Sequence, residues 1–476
     1  MTANPLAPAW LAHPEDANEL VAAVWPAHAS RNAEGELTVA GVTASALAAE
    51  FGTPLFVMDE ADVRDRAAGA RTAFEREFAR VGSAAKVYYA GKAFLSTEVA
   101  RWVAEAGLHI DVASGGELAV ALAAGVDAAL LGFHGNNKSP AEIDRAVREG
   151  VGVIVIDSAI EVERVAEAAA RHGVVQRVRL RLNSGVHAHT HEYLATARED
   201  QKFGIAMPDA AEVVAAIRAL PSLEFIGLHS HIGSQIFEPD GFVEAARRLL
   251  GLQAELLEGG PVPELNLGGG FGIAYTSADR ALPVADIAAS LADIVASECA
   301  RLGIPIPVVA VEPGRSIVGP STLTLYEIGT IKDVLVEVAG EEGQDGAARR
   351  AVRKYVSVDG GMSDNARPAL YEADYSARIA SRSSAADPAL VRVAGKHCES
   401  GDIVVLAEYL PGDVAPGDLL AVPATGAYCW SLASNYNYLG RPPVVAVRDG
   451  MARVIVRGET EADLLSRDAG ITNGKQ

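Results

Sequence analysis

The 476-residue sequence predicts an α/β plus β architecture: a TIM-type (β/α)8 barrel with a second, β-rich domain formed from both termini. Three observations lead there. From residue 81 to 318, short β-branched runs alternate with longer alanine-rich stretches of helical character, and eight such units match the count and size of a closed barrel. The flanking segments, 1–60 and 320–476, alternate apolar and polar residues at period two between Gly and Pro turns. The unusual polar residues gather at the C-terminal ends of the eight central runs, with no similar richness at the opposite ends. A doubly wound open sheet is the alternative to a closed barrel.

In chain order, the expected barrel strands are Lys86–Ala90, His109–Ala113, Ala129–Phe133, Gly152–Asp157, Arg177–Asn183, Leu223–His231, Glu264–Gly270 and Pro307–Gly314. Helical patterns lie between them, for example Ala141–Glu149, Ala159–Arg171 and Phe242–Leu257. The second domain is expected to hold strands at Ile403–Leu410, Asp418–Pro423, Val444–Val447 and Ala452–Arg457. Ala339–Arg350, Gly-rich and charged, reads as a flexible surface loop, and Asp468–Gln476 as a frayed end. The organisation is thus 1–60 as an N-terminal contribution to the β domain, 61–318 as the barrel, and 319–476 as the rest of the β domain.

Composition narrows the function classes. Hydrophobic residues make up 49% and charged residues 22%, which describes a soluble globular chain with a large core. The net charge of −21 argues against nucleic acid or anionic membrane as a partner. No apolar run approaches bilayer length, and residues 1–14 lack the basic and apolar stretches of a secretory signal. The three cysteines, Cys299, Cys398 and Cys429, lack C-x-x-C spacing, so a disulfide scaffold and a cysteine-built zinc site are not expected. A reducing cytoplasm is the simplest home.

The strand ends carry the chemistry. Lys92 follows the first strand; a buried amine there loses its proton easily and can attack a carbonyl. A carbonyl-bearing cofactor would then be tethered as a Schiff base, with pyridoxal phosphate the usual candidate; taken alone, such a lysine is more often a solvated surface charge. Asp111 ends the second strand, His134 follows the third, and His229-Ser-His-Ile-Gly-Ser-Gln235 ends the sixth. His231 suits stacking on a cofactor ring. A metal is the competing reading for the His229/His231 pair and for His187, His189 and His191, but neither set has a carboxylate at metal spacing. Gly268, Gly269 and Gly270, after the seventh strand, are either a phosphate cradle or only a tight turn. Glu312-Pro-Gly-Arg315, after the eighth, offers a carboxylate for a pyridine nitrogen and a guanidinium for an anion, or a local ion pair. In the β domain, His397-Cys-Glu-Ser-Gly-Asp402 is a polar loop around a thiol that would otherwise be read as buried packing. Arg367-Pro-Ala-Leu-Tyr371 and Thr425-Gly-Ala-Tyr428 are similar polar turns.

Taken together and in this order, these strings resemble the fold-type III pyridoxal phosphate-dependent decarboxylases, and among them the diaminopimelate decarboxylases. The likeness runs from Thr53 to Arg457. Its most specific strings are Tyr89-Ala-Gly-Lys-Ala, Asp111-Val-Ala-Ser-Gly-Gly-Glu-Leu118 and His189-Thr-His-Glu-Tyr193. Lys202-Phe-Gly, His231-Ile-Gly-Ser-Gln235, the Gly268 triplet, Glu312-Pro-Gly-Arg315 and Cys398-Glu-Ser complete the set. The resemblance implies that Lys92, His231 and Cys398 are catalytic: Lys92 holds pyridoxal 5'-phosphate, His231 stacks on its ring, and Cys398 protonates the carbanion left by carbon dioxide. Glu312 would pair with the pyridine nitrogen. Ser234, Gly270, the backbone near Arg315 and the Tyr428 hydroxyl would hold the phosphate, and Asp111, Gly268, Gly269 and Gly314 join the cofactor-binding set. Arg315, Arg367 and Tyr371 would bind the substrate's far carboxylate and Glu399 its ammonium, with Tyr428 also at the substrate. No metal is implied.

The implied reaction is decarboxylation of meso-2,6-diaminopimelate at its D-centre to L-lysine and carbon dioxide, the last step of lysine biosynthesis. The same resemblance implies a homodimer with shared sites, because the cysteine loop serves the neighbouring subunit. A relative acting on ornithine, arginine or carboxynorspermidine is the alternative, although the Cys398-Glu-Ser string with Arg367 and Tyr371 favours a tail bearing both ammonium and carboxylate. An alanine racemase would share the barrel and lysine but not the His231-Ile-Gly-Ser or Cys398-Glu-Ser strings. A regulatory homologue without activity would be expected to lack the lysine or the cysteine, and both are present.

Overall fold

A computed structural model describes residues 4–186, 202–238, 240–342 and 348–471. The chain divides into two compact units, one made of Met1–Val63, Ile273–Arg280 and Val318–Gln476, the other of Arg64–Gly272 and Ala281–Ile317.

The second unit is a closed barrel. Its strands are β1 (Ala85–Ala90), β2 (His109–Val112), β3 (Leu131–Phe133), β4 (Val153–Ile156), β5 (Gln176–Asn183), β6 (Leu223–His229), β7 (Glu264–Asn266) and β8 (Val308–Val311). Each pairs in parallel with the next, and β8 returns to β1 with Val311 opposite Val87. That last pairing excludes the open sheet. Ile205–Ala206 adds a short parallel pairing outside β5. Some strands are apolar on both faces, as in Val153–Ile156, because one face fills the barrel and the other meets the helices, whereas Gln176–Asn183 alternates and buries Arg179.

Helices α1 (Thr97–Glu105), α2 (Gly115–Ala123), α3 (Pro140–Glu149), α4 (Ala159–His172), α5 (Ala210–Arg218), α6 (Asp240–Leu257) and α7 (Val284–Leu302) follow β1 to β7. Serine hydroxyls at Ser96, Ser114 and Ser139 accept the backbone N–H three residues on, which starts α1, α2 and α3 directly after the strand-end residues. A longer helix, Glu60–Arg80, precedes the barrel and buries residues at helical spacing: Val63, Ala67, Ala70, Phe74 and Phe78.

The structure ends several strands earlier than the sequence suggests. Ser230–His231, Leu267–Gly270 and Glu312–Gly314 lie beyond β6, β7 and β8. Apart from Leu267 these residues are polar, glycine or proline, and backbone bonds such as Ser230 N–H to the Asn266 carbonyl at 3.0 Å still join neighbouring segments there without extending the strand pairing.

In the other unit, Leu55–Asp59 runs antiparallel to Thr322–Glu342 and parallel to Val444–Arg448, so a strand from the N-terminal part sits between strands from the C-terminal part. The sheet continues through Ala348–Val358, Pro388–Ala394 and Ile403–Pro411 on one side and Met451–Val456 on the other. Trp25, Leu47, Leu55, Val57, Leu323, Leu325, Val445 and Val447 share one buried core. Residues 1–60 are less β-rich than their alternation implies: Ala44–Phe51 is a helix, capped by Oγ1 of Thr43 accepting from Ala46. Within the expected loop Ala339–Arg350, the described residues 339–342 and 348–350 are strand, with Glu337 opposite Arg350 and Glu342 opposite Ala348. Hairpin pairing uses backbone groups, which charged side chains do not prevent. Residues 343–347 and 472–476 lie outside the described residues.

Candidate active site

A cavity of about 640 Å³ opens at the C-terminal ends of the barrel strands, within the range of small-molecule sites. Lys92, Asp111, His134, His231, Ser234 and Glu312 line it, contributed by the ends of β1, β2, β3, β6 and β8. The sequence reading expects a buried amine at Lys92. The structure instead leaves Lys92 exposed, because the 3-10 turn Gly91–Ala93 carries it past the strand end into the cavity.

Beneath it lies a buried polar cluster. Nε2 of His134 stands 3.0 Å from Oδ1 of Asp111 and 3.6 Å from Oε1 of Glu312, and Nε2 of His229 stands 3.0 Å from that same Oε1. The two imidazoles meet edge to face with centroids 5.1 Å apart. Burial pushes both histidines down to about 4, so both are neutral at neutral pH. Burial opposes charge on Glu312 as well, but the neighbouring His229 and His134 outweigh it and hold that carboxyl well below the usual range. Asp111 goes the other way, raised by burial and by the charge of Glu312. One of the two carboxyls is therefore ionised and the other neutral. Gly132 makes room for this arrangement, since a Cβ there would sit 2.5 Å from Oδ1 of Asp111.

This cluster corrects one step of the sequence argument. No carboxylate stands near His229 and His231 along the chain, yet Glu312 reaches His229 from β8. The groups lie within hydrogen-bonding reach of one another, so a ring of interacting polar side chains accounts for their spacing. His187, His189 and His191 lie outside the described residues.

His231 has its Nδ1 accepting from the Gly269 N–H at 3.3 Å, which puts its proton on Nε2. Burial and the Lys92 charge hold it neutral, well below its ordinary value. Gly268 donates to Oδ1 of Asn266 at 2.8 Å. Two of the three glycine amides are thus already engaged. The triplet's lack of side chains has a packing cause too: a Cβ on Gly269 would fall 2.0 Å from the Glu312 carbonyl oxygen. At the other edge, Ala90 N–H donates to the Pro313 carbonyl at 3.1 Å, which places Gly314 against β1. Arg315 is buried and its Nη2 donates to Oγ of Ser234 at 2.6 Å.

The remaining expected residues belong to the β unit. Arg367 is buried, with Nη1 donating to the Tyr375 hydroxyl at 2.5 Å and the guanidinium 4.4 Å from the Tyr275 ring centre. Tyr371, four residues on, is 63% exposed. Cys398 and Glu399 are exposed on a loop whose Cys398 N–H donates to Oδ1 of Asn437 at 3.0 Å. Tyr428 is half-buried and takes φ = +65°, a conformation bulky residues rarely adopt outside functional sites. Cys429 is buried, with Sγ 3.5 Å from the Tyr375 hydroxyl and 3.4 Å from Oδ1 of Asn365.

The pyridoxal binding domain of the pyridoxal-dependent decarboxylase family matches residues 61–319, and that family's C-terminal sheet domain matches residues 323–426. The chain belongs to the pyridoxal-dependent decarboxylases. It is 51% identical over 451 residues to the diaminopimelate decarboxylase of Mycobacterium tuberculosis, covering 93% of this chain and 97% of that protein. The diaminopimelate decarboxylase of Mycobacterium leprae is 50% identical, with 95% and 94% covered. A solved diaminopimelate decarboxylase from M. jannaschii in co-complex with L-lysine superposes with a TM-score of 0.82 at 31% identity, covering 92% of this chain and 97% of that one.

The residues present fit the cofactor of a pyridoxal-dependent decarboxylase. Both carboxyl oxygens of Asp111, Nε2 of His134 and both ring nitrogens of His229 are buried without an aligned hydrogen-bond partner among the described residues, so the cluster is suited to meet a polar group from the cavity. Lys92 offers an amine, Glu312 an anion for a cationic ring nitrogen, and the Ser234 hydroxyl, braced by Arg315, a donor for a phosphate. Sequence reasoning overlooks Asn266 and Arg181, and marks His134 only as a strand-end residue. Arg181 lines the cavity with its guanidinium 4.2 Å from the Phe203 ring centre. A polar residue set between Leu265 and Leu267 at the end of the Glu264–Asn266 strand is the available signal for Asn266.

Proposed function

We propose that this chain decarboxylates meso-2,6-diaminopimelate at its D-configured carbon to give L-lysine and carbon dioxide, with pyridoxal 5'-phosphate as cofactor. The observation that carries the reading is the convergence of Lys92, His231, Ser234 and Glu312 on one cavity at the strand ends. The choice of substrate is supported by relatives near half identical over almost the whole chain that bear the diaminopimelate decarboxylase name.

When bound, pyridoxal phosphate supplies a carbonyl that takes up an amine and a cationic ring that accepts the electron pair freed as carbon dioxide leaves. Lys92 would provide the amine that holds it, Glu312 would supply the anion that keeps its ring nitrogen protonated, and the neutral imidazole of His231 would help to hold the ring. Asp111 completes the polar wall. Ser234, Gly270, the backbone at Gly314 and Arg315, and the Tyr428 hydroxyl grip the phosphate; the Gly268 and Gly269 amides shape the turn. Arg315, Arg367 and Tyr371 orient the substrate through its far carboxylate, Glu399 reads the far ammonium, and Cys398 delivers the closing proton. Fixed geometry and the Glu312 charge carry most of the barrier lowering.

The exposure of Cys398, Glu399 and Tyr371 suits groups that serve a neighbouring copy, and we take the working form to be a homodimer with shared sites. Three free thiols fit a reducing, cytoplasmic setting. The test is the absorption spectrum of the purified protein with cofactor, followed by carbon dioxide release from a panel of diamino acids. A band lost in Lys92→Ala and preference for meso-diaminopimelate are expected. Borohydride reduction that maps the adduct to another side chain overturns the assignment.

A further inference from the structure

The protein donors around Glu312 converge on one of its two oxygens. Oε1 accepts a 2.7 Å hydrogen bond from Nδ2 of Asn266, and Nε2 of His229 stands 3.0 Å from the same atom, within reach of it but off the hydrogen-bond axis. Oε2 takes no donor among the described residues, and Glu312 is part of the cavity wall. The orientation of the Asn266 amide is fixed independently: its Oδ1 accepts from the Gly268 N–H at 2.8 Å, so the nitrogen must face Glu312. The His229 side chain is only 1% exposed. A neutral imidazole facing a carboxylate places its single proton on the near nitrogen, here Nε2.

We propose that His229 and Asn266 are positioning residues that occupy Oε1 of Glu312, hold its carboxylate ionised and leave Oε2 as the charged partner of a cationic ring nitrogen in the cavity. The choice of neutral donors matters. An arginine or lysine in their place would stabilise the carboxylate but cancel its field, whereas an imidazole N–H and an amide N–H leave the full negative charge available. Asp111, neutral beside it, adds no competing charge. This inference rests on the pyridoxal phosphate reading above and assigns the groups behind Glu312.

The experiment uses full-length protein loaded with pyridoxal phosphate carrying 15N at the ring nitrogen, compared with His229→Gln and His229→Asn. Gln can place a donor where Nε2 stands; Asn reaches only the Nδ1 position, and both keep a polar group in the site. The expected result is a protonated-ring 15N shift in the wild type and in His229→Gln. His229→Asn should move toward the unprotonated shift, with cofactor affinity and turnover each reduced about tenfold, as for one lost hydrogen bond to a charged group. Wild-type 15N shift and affinity in folded His229→Asn overturn the inference while leaving the cofactor reading intact. A wild type that takes up no cofactor overturns the reading on which it rests. Should His229→Asn not fold, Asn266→Ser, which shortens the other donor, carries the same expectation, and an unchanged shift there overturns the proposal.

Discussion

Nη2 of Arg315 donates a 2.6 Å hydrogen bond to Oγ of Ser234, joining the segment after β8 to the loop after β6. Both groups are fixed by the barrel before any ligand arrives, so an anion meeting them pays little ordering cost. Ser234→Ala removes a donor to that anion and the brace on the guanidinium. It should weaken pyridoxal phosphate binding by about 1.5–3 kcal/mol, the scale of a hydrogen bond to a charged group. Titration of the cofactor absorbance against apo-protein measures this, and unaltered affinity would remove Ser234 from the phosphate site.

Cys398 sits on a loop held from several sides. Its N–H is bonded to Asn437, and Nδ1 of the adjacent His397 lies 2.9 Å from Oδ2 of Asp402. The His397 ring stacks on Tyr436 at 5.6 Å with the planes 6° apart. Such anchoring keeps an exposed thiol in one place, as a proton donor needs. Cys398→Ala should lower lysine formation by a factor on the order of 10²–10⁴ while the cofactor spectrum stays intact. Mixing Cys398→Ala with Lys92→Ala subunits should restore part of the activity if sites are shared, and no recovery would place each site within one chain.

The barrel was legible because short β-branched runs, some of them apolar throughout such as Val153–Ile156, alternate with helical stretches eight times. That Lys92, His231 and Glu312 line one cavity was legible because each is a polar residue just past a strand. The partners of those residues were not. Glu312 meets His229 from β6, His134 from β3 and Asn266 from β7, and a single sequence does not reveal which strand ends face one another across a closed barrel. The strand pairing of residues 339–342 and 348–350 was missed for a different reason: charge and glycine do not distinguish a paired strand from a loop, because pairing uses backbone groups.

Inside the barrel, Arg179 is fully buried and pairs with Glu264, with Nη2 2.5 Å and Nε 3.1 Å from Oε2, and it also donates to the Tyr88 hydroxyl at 3.1 Å. Lys86 bonds the other oxygen of Glu264. Glu264→Leu strands a buried guanidinium and should cost about 3–5 kcal/mol in chemical denaturation. Replacing both residues, as Glu264→Leu with Arg179→Met, should recover most of that loss. A single variant no less stable than the pair of changes would show that the ion pair does not govern the barrel's interior.

Acid stability follows from the buried histidines. His109 packs against the Tyr88 ring at 4.6 Å, and burial, aided by the nearby charges of Lys86 and Arg179, pushes it down to about 4 from 6.5. Its contribution is fully present above pH 6.5, where folded and unfolded chains both hold it neutral. As pH falls from 6.5 toward 4, the unfolded chain takes up a proton that the folded chain refuses, and stability is lost. Opposing this, Asp364 is raised to about 7 by burial, although the Tyr326 hydroxyl bonds it, and that group favours the folded state as pH falls. The two effects separate in a variant: between pH 6.5 and 4 the wild type should lose up to about 1.4 kcal/mol per pH unit relative to His109→Gln. Denaturation midpoints measured in parallel at pH 7, 6, 5 and 4 decide it, because curves that stay parallel would mean His109 titrates alike in both states.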